Sequence, residues 1–209
     1  MEVWMLRHGR TQGNLEHRYV GRTDEELTEQ QKQELKKLAG VFPRPDLLYV
    51  SPMRRCRQTA EGLFPGQEQI LWEAFRETDF GEYEYLTYED LNGRPAYQAW
   101  IDSGGLTAFP HGESGEAFRR RCWQGFQSCM ADASHRGAES VGIVCHGGTL
   151  MSICAALTGD PASFYHWQAA NLQGFRMEIT ENGTNREICL EGSIQKLADT
   201  CKSKKNSVL

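Results

Sequence analysis

Apolar positions along this chain follow two rhythms. Some stand in short unbroken runs, and others recur every three or four residues. Val3-Trp4-Met5-Leu6, Leu47-Leu48-Tyr49-Val50 and Val141-Gly142-Ile143-Val144-Cys145 read as strands buried on both faces, with Ile70-Leu71-Trp72 a shorter strand between them. Thr28 and Gln31 form a capping box for a helix whose apolar face is Leu35, Leu38 and Ala39, closed by Gly40 and Pro43. Ser51-Pro52 reads as the N-cap and first residue of the next helix, with Met53, Cys56, Ala60 and Leu63 on its buried side. Ser114 opens a third, carrying Phe118, Cys122, Phe126, Cys129 and Ala133 at helical spacing. A fourth runs from about Thr149 to Leu157 and stops at Gly159 and Pro161. Residues 174–180 and 186–190 read as a hairpin around Asn182-Gly183.

Strands alternating with helices predict an α/β fold: a three-layer, mostly parallel sheet flanked by helices. From Phe75 to Pro110 neither rhythm holds, and the segment is irregular and aromatic. That reads as a small cap insertion over about 75–112 within one domain spanning 1–192. Beyond Gly192 the chain turns polar and lysine-bearing, a frayed tail over 193–209.

Composition narrows the class. The 209 residues are 39% hydrophobic and 24% charged, an ordinary globular balance. No apolar run reaches the roughly 18 residues of a membrane span, and MEVWMLRHGR is no signal peptide, so no membrane partner is expected. A net charge of −5 argues against sequence-independent binding of nucleic acid. Seven cysteines without a CxxC pair, several of them in apolar patterns, suggest free thiols in a reducing cytoplasm. The Asn182-Gly183-Thr184 sequon then reads as a turn rather than a glycan site. The pattern sets no oligomeric state.

In open α/β sheets, ligands bind beyond the carboxyl ends of the strands. The first strand delivers Arg7-His8-Gly9 to that edge, the second delivers Ser51-Pro52 and then Arg55, and the strand ending at Cys145 delivers His146-Gly147-Gly148. These residue types suit phosphate. Arginine offers a planar fork of donors, helix N-termini add free N–H groups, and a neutral imidazole can serve as nucleophile. Arg54 and Arg57 read as a solvated helix face, and His17, His111, His135 and His166 as histidines outside the site. Phe80, Tyr83, Tyr85 and Tyr88 either line a pocket for a flat group or form the cap's own core. No HxH, HExxH or CxxC spacing supports a metal, and no cofactor is expected. Cys145 lacks the nearby arginine a cysteine phosphatase needs, none following before Arg176. Walker A and GxSxG sequences are absent.

Arg7-His8-Gly9-Arg10-Thr11, with Asn14 after it, resembles the signature of the histidine phosphatase (phosphoglycerate mutase-like) superfamily. Further segments match in order: Gly21-Arg22-Thr23-Asp24, Ser51 through Ala60, Glu77-Thr78-Asp79-Phe80-Gly81, Gly112-Glu113-Ser114 and Cys145-His146-Gly147-Gly148. The resemblance spans residues 1–160. It implies His8 as the phosphorylated nucleophile, with Arg7, Arg55 and His146 around the phosphate. Glu77 resembles the acid that protonates the leaving oxygen and then activates water. Thr11, Asn14, Gly21 and Gly147 resemble substrate-binding positions. The activity implied by the resemblance is that of a metal-independent phosphatase acting on a small phosphorylated metabolite. A phosphomutase, or a phospholigand-binding protein without catalysis, stand as the alternatives.

Two positions depart from the family pattern. Arg10 stands where the family has Glu or Gln, adding positive charge near the mouth, and Tyr85 stands where the family has glycine. The segment between Glu84 and Gly112 is shorter than in the mutases, which favours water as phosphate acceptor. Leu91-Asn92 through Gly112-Glu113-Ser114, including Tyr97-Gln98-Ala99-Trp100-Ile101-Asp102, is similar to α-ribazole phosphatases.

Overall fold

Strand residues point alternately to opposite faces of a sheet, so an unbroken apolar run must bury both. The computed structural model describes residues 1–179 and 187–191. Its elements run β1 (Glu2–Arg7), α1 (Gln12–Leu15), α2 (Glu29–Leu38), β2 (Leu47–Val50), α3 (Arg54–Leu63) and β3 (Ile70–Leu71). They continue with α4 (Tyr88–Leu91), α5 (Pro95–Asp102), α6 (Gly115–His135), β4 (Ser140–Cys145), α7 (Gly147–Thr158), β5 (Gly174–Glu178) and β6 (Glu187–Glu191). Val3, Met5, Tyr49, Val141, Ile143 and Cys145 enter one hydrophobic cluster with residues of α6 and α7. Leu6, Leu48, Val50 and Val144 enter a second, with residues of α2 and α3. The alternation thus divides the protein into three layers, as the sequence predicts.

The sheet order is β3-β2-β4-β1-β5-β6. The first four strands are parallel, while β5 runs antiparallel to β1 and β6 antiparallel to β5. The predicted hairpin is therefore present as strands, although its Asn182-Gly183 turn and the tail lie outside the described residues. Among the described residues, no helix is long and apolar enough to cross a membrane.

Several element boundaries differ from the sequence reading. Thr28 Oγ1 accepts from Gln31 N as expected (3.2 Å), but the Gln31 side chain accepts from Arg10 N instead of returning to Thr28. The third helix starts at Arg54 with Met53 as N-cap, not at Ser51-Pro52, because the Ser51 hydroxyl is taken by His146. The helix expected from Thr149 starts at Gly147. The segment 75–112 contains α4 and α5, and Tyr83, Leu91, Tyr97 and Phe109 form a third, separate hydrophobic cluster there.

Candidate active site

Strand register brings the two histidines together. In the β1–β4 pair Arg7 stands opposite Cys145, so the next residue of each strand, His8 and His146, emerges side by side. Their ring centroids are 5.1 Å apart, edge to face. Val50 stands opposite Val144, which places Ser51 where its hydroxyl meets His146 Nε2 at 2.8 Å. Three strand ends thus build the floor of one site.

His8 is 3% exposed. Its Nδ1 lies 2.7 Å from the Gly9 carbonyl, which can only accept, so Nδ1 carries the proton and Nε2 keeps its lone pair. Burial, then the charges of Arg55 and Arg7, push the imidazole well below its ordinary pKa. The ring is therefore held neutral with a nucleophilic nitrogen available. His146 is likewise held neutral, by burial first and Arg55 second. Arg55 Nε donates to its Nδ1 at 3.3 Å, leaving Nε2–H to donate to Ser51.

Arg55 is fully buried, with its donors turned to carbonyls. Nη1 donates to Thr23 O at 2.8 Å and Nη2 to Gly21 O at 2.9 Å. Glu84 fixes that loop from behind, its Oε1 accepting from Gly21 N and Thr23 N at 2.8 and 2.9 Å. Any side chain at position 21 would meet the Thr78 carbonyl at 1.9 Å. Gly21 therefore supports Arg55, with its own backbone groups already engaged. Arg7 Nη1 donates to Ala169 O at 2.8 Å, while its buried Nε has no partner among the described residues. That orphaned donor faces the same cavity as Glu77, beside Gly147 at the N-terminus of α7.

Glu77 is placed by α7. Its Oε2 accepts from Gly148 N at 3.1 Å and its Oε1 from Thr78 N at 3.0 Å. A Cβ at position 148 would lie 2.5 Å from Oε1, so only glycine lets the carboxyl sit there. Burial raises the Glu77 pKa against the opposing pull of those N–H groups and of Arg55 and Arg7. Arg7 and the carboxyl that keeps its proton to higher pH line one cavity, and the charge of Arg7 also acts on the neutral imidazole of His8.

The profile of the histidine phosphatase superfamily (branch 1) matches residues 3–188. The chain belongs to that superfamily. Adenosylcobalamin/alpha-ribazole phosphatase of Salmonella typhimurium is 30% identical over 175 residues, covering 80% of this chain and 85% of the relative. A 2,3-bisphosphoglycerate-dependent phosphoglycerate mutase of Bartonella henselae is 28% identical over 167 residues, covering 74% and 80%. The alpha-ribazole phosphatase structure from Shigella flexneri superposes with a TM-score of 0.81 at 25% identity, covering 93% of this chain and 98% of that one.

Other residues of this histidine phosphatase complete the site from behind. Thr11 caps α1 by accepting from Asn14 N at 3.3 Å, and Asn14 Oδ1 accepts from Thr11 N and from Asn171 Nδ2, both at 3.2 Å. Asn171 Nδ2 also donates to His8 O at 2.9 Å. Thr59 Oγ1 accepts from Gly9 N at 2.9 Å, and Arg121, ion-paired with Glu113 at 2.6 Å, donates to the carbonyls of Ala74 and Arg76. The sequence reading missed Asn171, Thr59 and Arg121. Asn171 carries no signal of its own, and only its position ahead of β5, the neighbour of β1, brings it to His8.

Both departures from the family pattern now have a structural meaning. Arg10 does not add free charge to the mouth, because it pairs with Glu34 at 3.2 Å and with Gln31 Oε1. Tyr85 has φ 67°, the left-handed region that favours glycine, and its hydroxyl donates to Glu25 Oε1 at 2.8 Å. Of the four aromatics read from the cap, Tyr83 joins the cap core, Phe80 faces the cavity, Tyr85 meets Glu25, and Tyr88 is exposed. Arg54 and Arg57 are exposed on α3, and His111 lies at the surface beside Glu82. Among the described residues, no group of three His, Cys, Asp or Glu side chains could hold a metal ion. The cavity in front of Arg7, Glu77 and Gly148 encloses about 680 Å³. Tyr19, Phe80, Trp100 and Phe109 wall it on the cap side, Phe118 and Phe164 on the other.

Proposed function

We propose that this enzyme hydrolyses phosphate monoesters of alcohols with a bulky ring-bearing leaving group, by way of a phosphohistidine at His8. In the first step the Nε2 lone pair of His8 forms a bond to phosphorus as the bond to the leaving oxygen breaks. The Glu77 carboxyl gives its proton to that oxygen. In the second step the Glu77 carboxylate takes a proton from water, the water oxygen bonds to phosphorus, and the P–N bond breaks to restore neutral His8. The Arg7 Nε and Asn14 Nδ2, which meet no acceptor among the described residues, the charge of Arg55 and the Gly147 N–H stabilise the transferring phosphoryl oxygens, and His146 joins them when its Nε2–H turns from Ser51 to a phosphoryl oxygen. Thr11 acts through Asn14, and Gly21 through Arg55.

One observation carries this reading: the tautomer forced on His8 by Gly9 O leaves Nε2 unprotonated within reach of the charges of Arg55 and Arg7. Among substrates, α-ribazole 5′-phosphate fits best, because the relative of that activity covers most of the chain and the cavity walls are aromatic. Phosphate release from a panel containing α-ribazole 5′-phosphate, 3-phosphoglycerate, sugar phosphates and an aryl phosphate, in EDTA, tests it. The expected result is release that survives chelation, vanishes in His8→Ala, and is fastest with the ring-bearing esters. Isomerised phosphoglycerate without free phosphate would favour the mutase instead, and release that needs a divalent ion would contradict the mechanism.

A further inference from the structure

The cavity is lined by two cations, Arg7 and Arg119, and only Arg7 belongs to the phosphate end. Arg119 follows Phe118 on α6, about 100° further round the helix. The Phe118 ring packs against the Gly148 position, so Arg119 lies off to the side of the phosphate pocket. Its guanidinium carbon sits 3.8 Å from the centroid of the Phe164 ring. That contact holds the guanidinium against the ring.

The five N–H donors of that group meet no acceptor among the described residues. The other arginines of the site differ in this respect: Arg55 donates to Thr23 O and Gly21 O, and Arg121 pairs with Glu113. Glu113 and Glu77 are the carboxylates on the wall, and each is engaged elsewhere, with Arg121 and with Gly148 N. Burial also lowers the Arg119 pKa, as expected of a cation that lacks a counter-ion. A partly exposed fork of donors on the wall of this chamber is thus open to an acceptor from outside the chain.

We propose that Arg119 is a specificity-determining residue that receives a hydrogen-bond acceptor, a carboxylate or an unprotonated ring nitrogen, carried on the far side of the leaving group. The preferred substrate is then a phosphate ester whose alcohol combines an apolar ring with one acceptor directed away from the phosphate. This inference rests on the phosphatase reading above and deepens it. Arg119 takes no part in bond making; it selects which ester is held for His8.

The test compares kcat/KM for 4-carboxyphenyl with 4-methylphenyl phosphate, and for 6-carboxy-2-naphthyl with 6-methyl-2-naphthyl phosphate, so that two reaches are sampled. Wild type, Arg119→Lys and Arg119→Met are assayed together, with the inhibition constant of inorganic phosphate reporting on the phosphate pocket. The wild type is expected to prefer the carboxylated member of at least one pair by about tenfold or more, the worth of a hydrogen bond to a charged group. Arg119→Lys should keep part of that preference and Arg119→Met none. A preference equal within twofold in all three proteins would overturn the inference while leaving the phosphatase reading intact. Wild type that turns over none of the four esters while releasing phosphate from α-ribazole 5′-phosphate would overturn the inference alone, and no release from any of the five would remove the phosphatase reading with it.

Discussion

The two ends of the cavity are built from opposite materials. Beside the proposed phosphate end, which Arg7 and Glu77 line, His8, His146 and Ser51 are the residues that come directly after paired strand positions, and backbone groups hold Arg55 and Glu77. At the leaving-group end, Tyr19, Phe80, Trp100 and Phe109 pack ring against ring, with centroids 4.7 to 6.4 Å apart among the contacting pairs. A register shift of one residue would destroy the first end. The second has few directional bonds, such as the Tyr19–Tyr97 hydroxyl contact at 2.5 Å, and can change shape without disturbing the chemistry. The fixed end accounts for a reaction common to a superfamily, and the adaptable end for its differing substrates.

The contrast is broken most severely by His8→Ala, which should reduce kcat by about 10⁴- to 10⁶-fold for every ester, as loss of a nucleophile does. Steady-state assays over the panel check this, and a residual rate that varies with the leaving group would count against it. Glu77→Gln comes next, at about 10²- to 10⁴-fold for alkyl esters. The wild-type kcat/KM should fall on the acid side as His8 takes a proton, well below pH 6.5, and on the alkaline side as Glu77 loses its own. Glu77→Gln should abolish the alkaline limb alone.

Stability should separate the two ends as well. Phe126→Ala empties a site 2% exposed in the main core and should cost about 3–5 kcal/mol in denaturant unfolding. Tyr97→Ala, in the separate cap cluster, should shift global unfolding less and raise KM for ring-bearing esters more. Equal effects on unfolding would mean that cap and core are one cooperative unit. A smaller effect is set by pH. His8 and His146 are held neutral, so below pH 6.5 the unfolded chain binds protons that the native state refuses, and stability falls as pH falls. Each contributes up to about 1.4 kcal/mol per pH unit in that window. Glu77 acts in the opposite sense, since its raised pKa favours the native state at acid pH and that support is lost as pH rises past it. His8→Ala should flatten the acid slope measured by thermal unfolding at a series of pH values.

The same division separates what is legible in the sequence from what is not. The strands are readable because both faces are buried, which leaves apolar runs with no polar alternation. Arg7, His8, Arg55 and His146 are readable because strand ends deliver them in sequence with glycines and a helix start. Ser51 reads as a cap, wrongly, because its hydroxyl bonds across 95 residues to His146, a tertiary contact that no local pattern encodes. The start of α7 reads two residues late because Gly147 and Gly148 have poor helix propensity; they are present for the close approach of Arg7 and Glu77. The helix α5 escapes the pattern although Pro95 stands at its first turn, since the segment lacks the polar face that marks a surface helix. Asn171 contributes through a position distant in sequence from every motif.

The central claim is most directly tested by rapid quench of Glu77→Gln with 4-nitrophenyl phosphate. This leaving group departs without a proton, so His8 should be phosphorylated at near-normal rate, while the second step lacks its base. A burst of one nitrophenolate per active site, with an alkali-stable, acid-labile phosphoryl group on His8, is the expected result. Steady turnover with no burst and no label on His8 would contradict the phosphohistidine route.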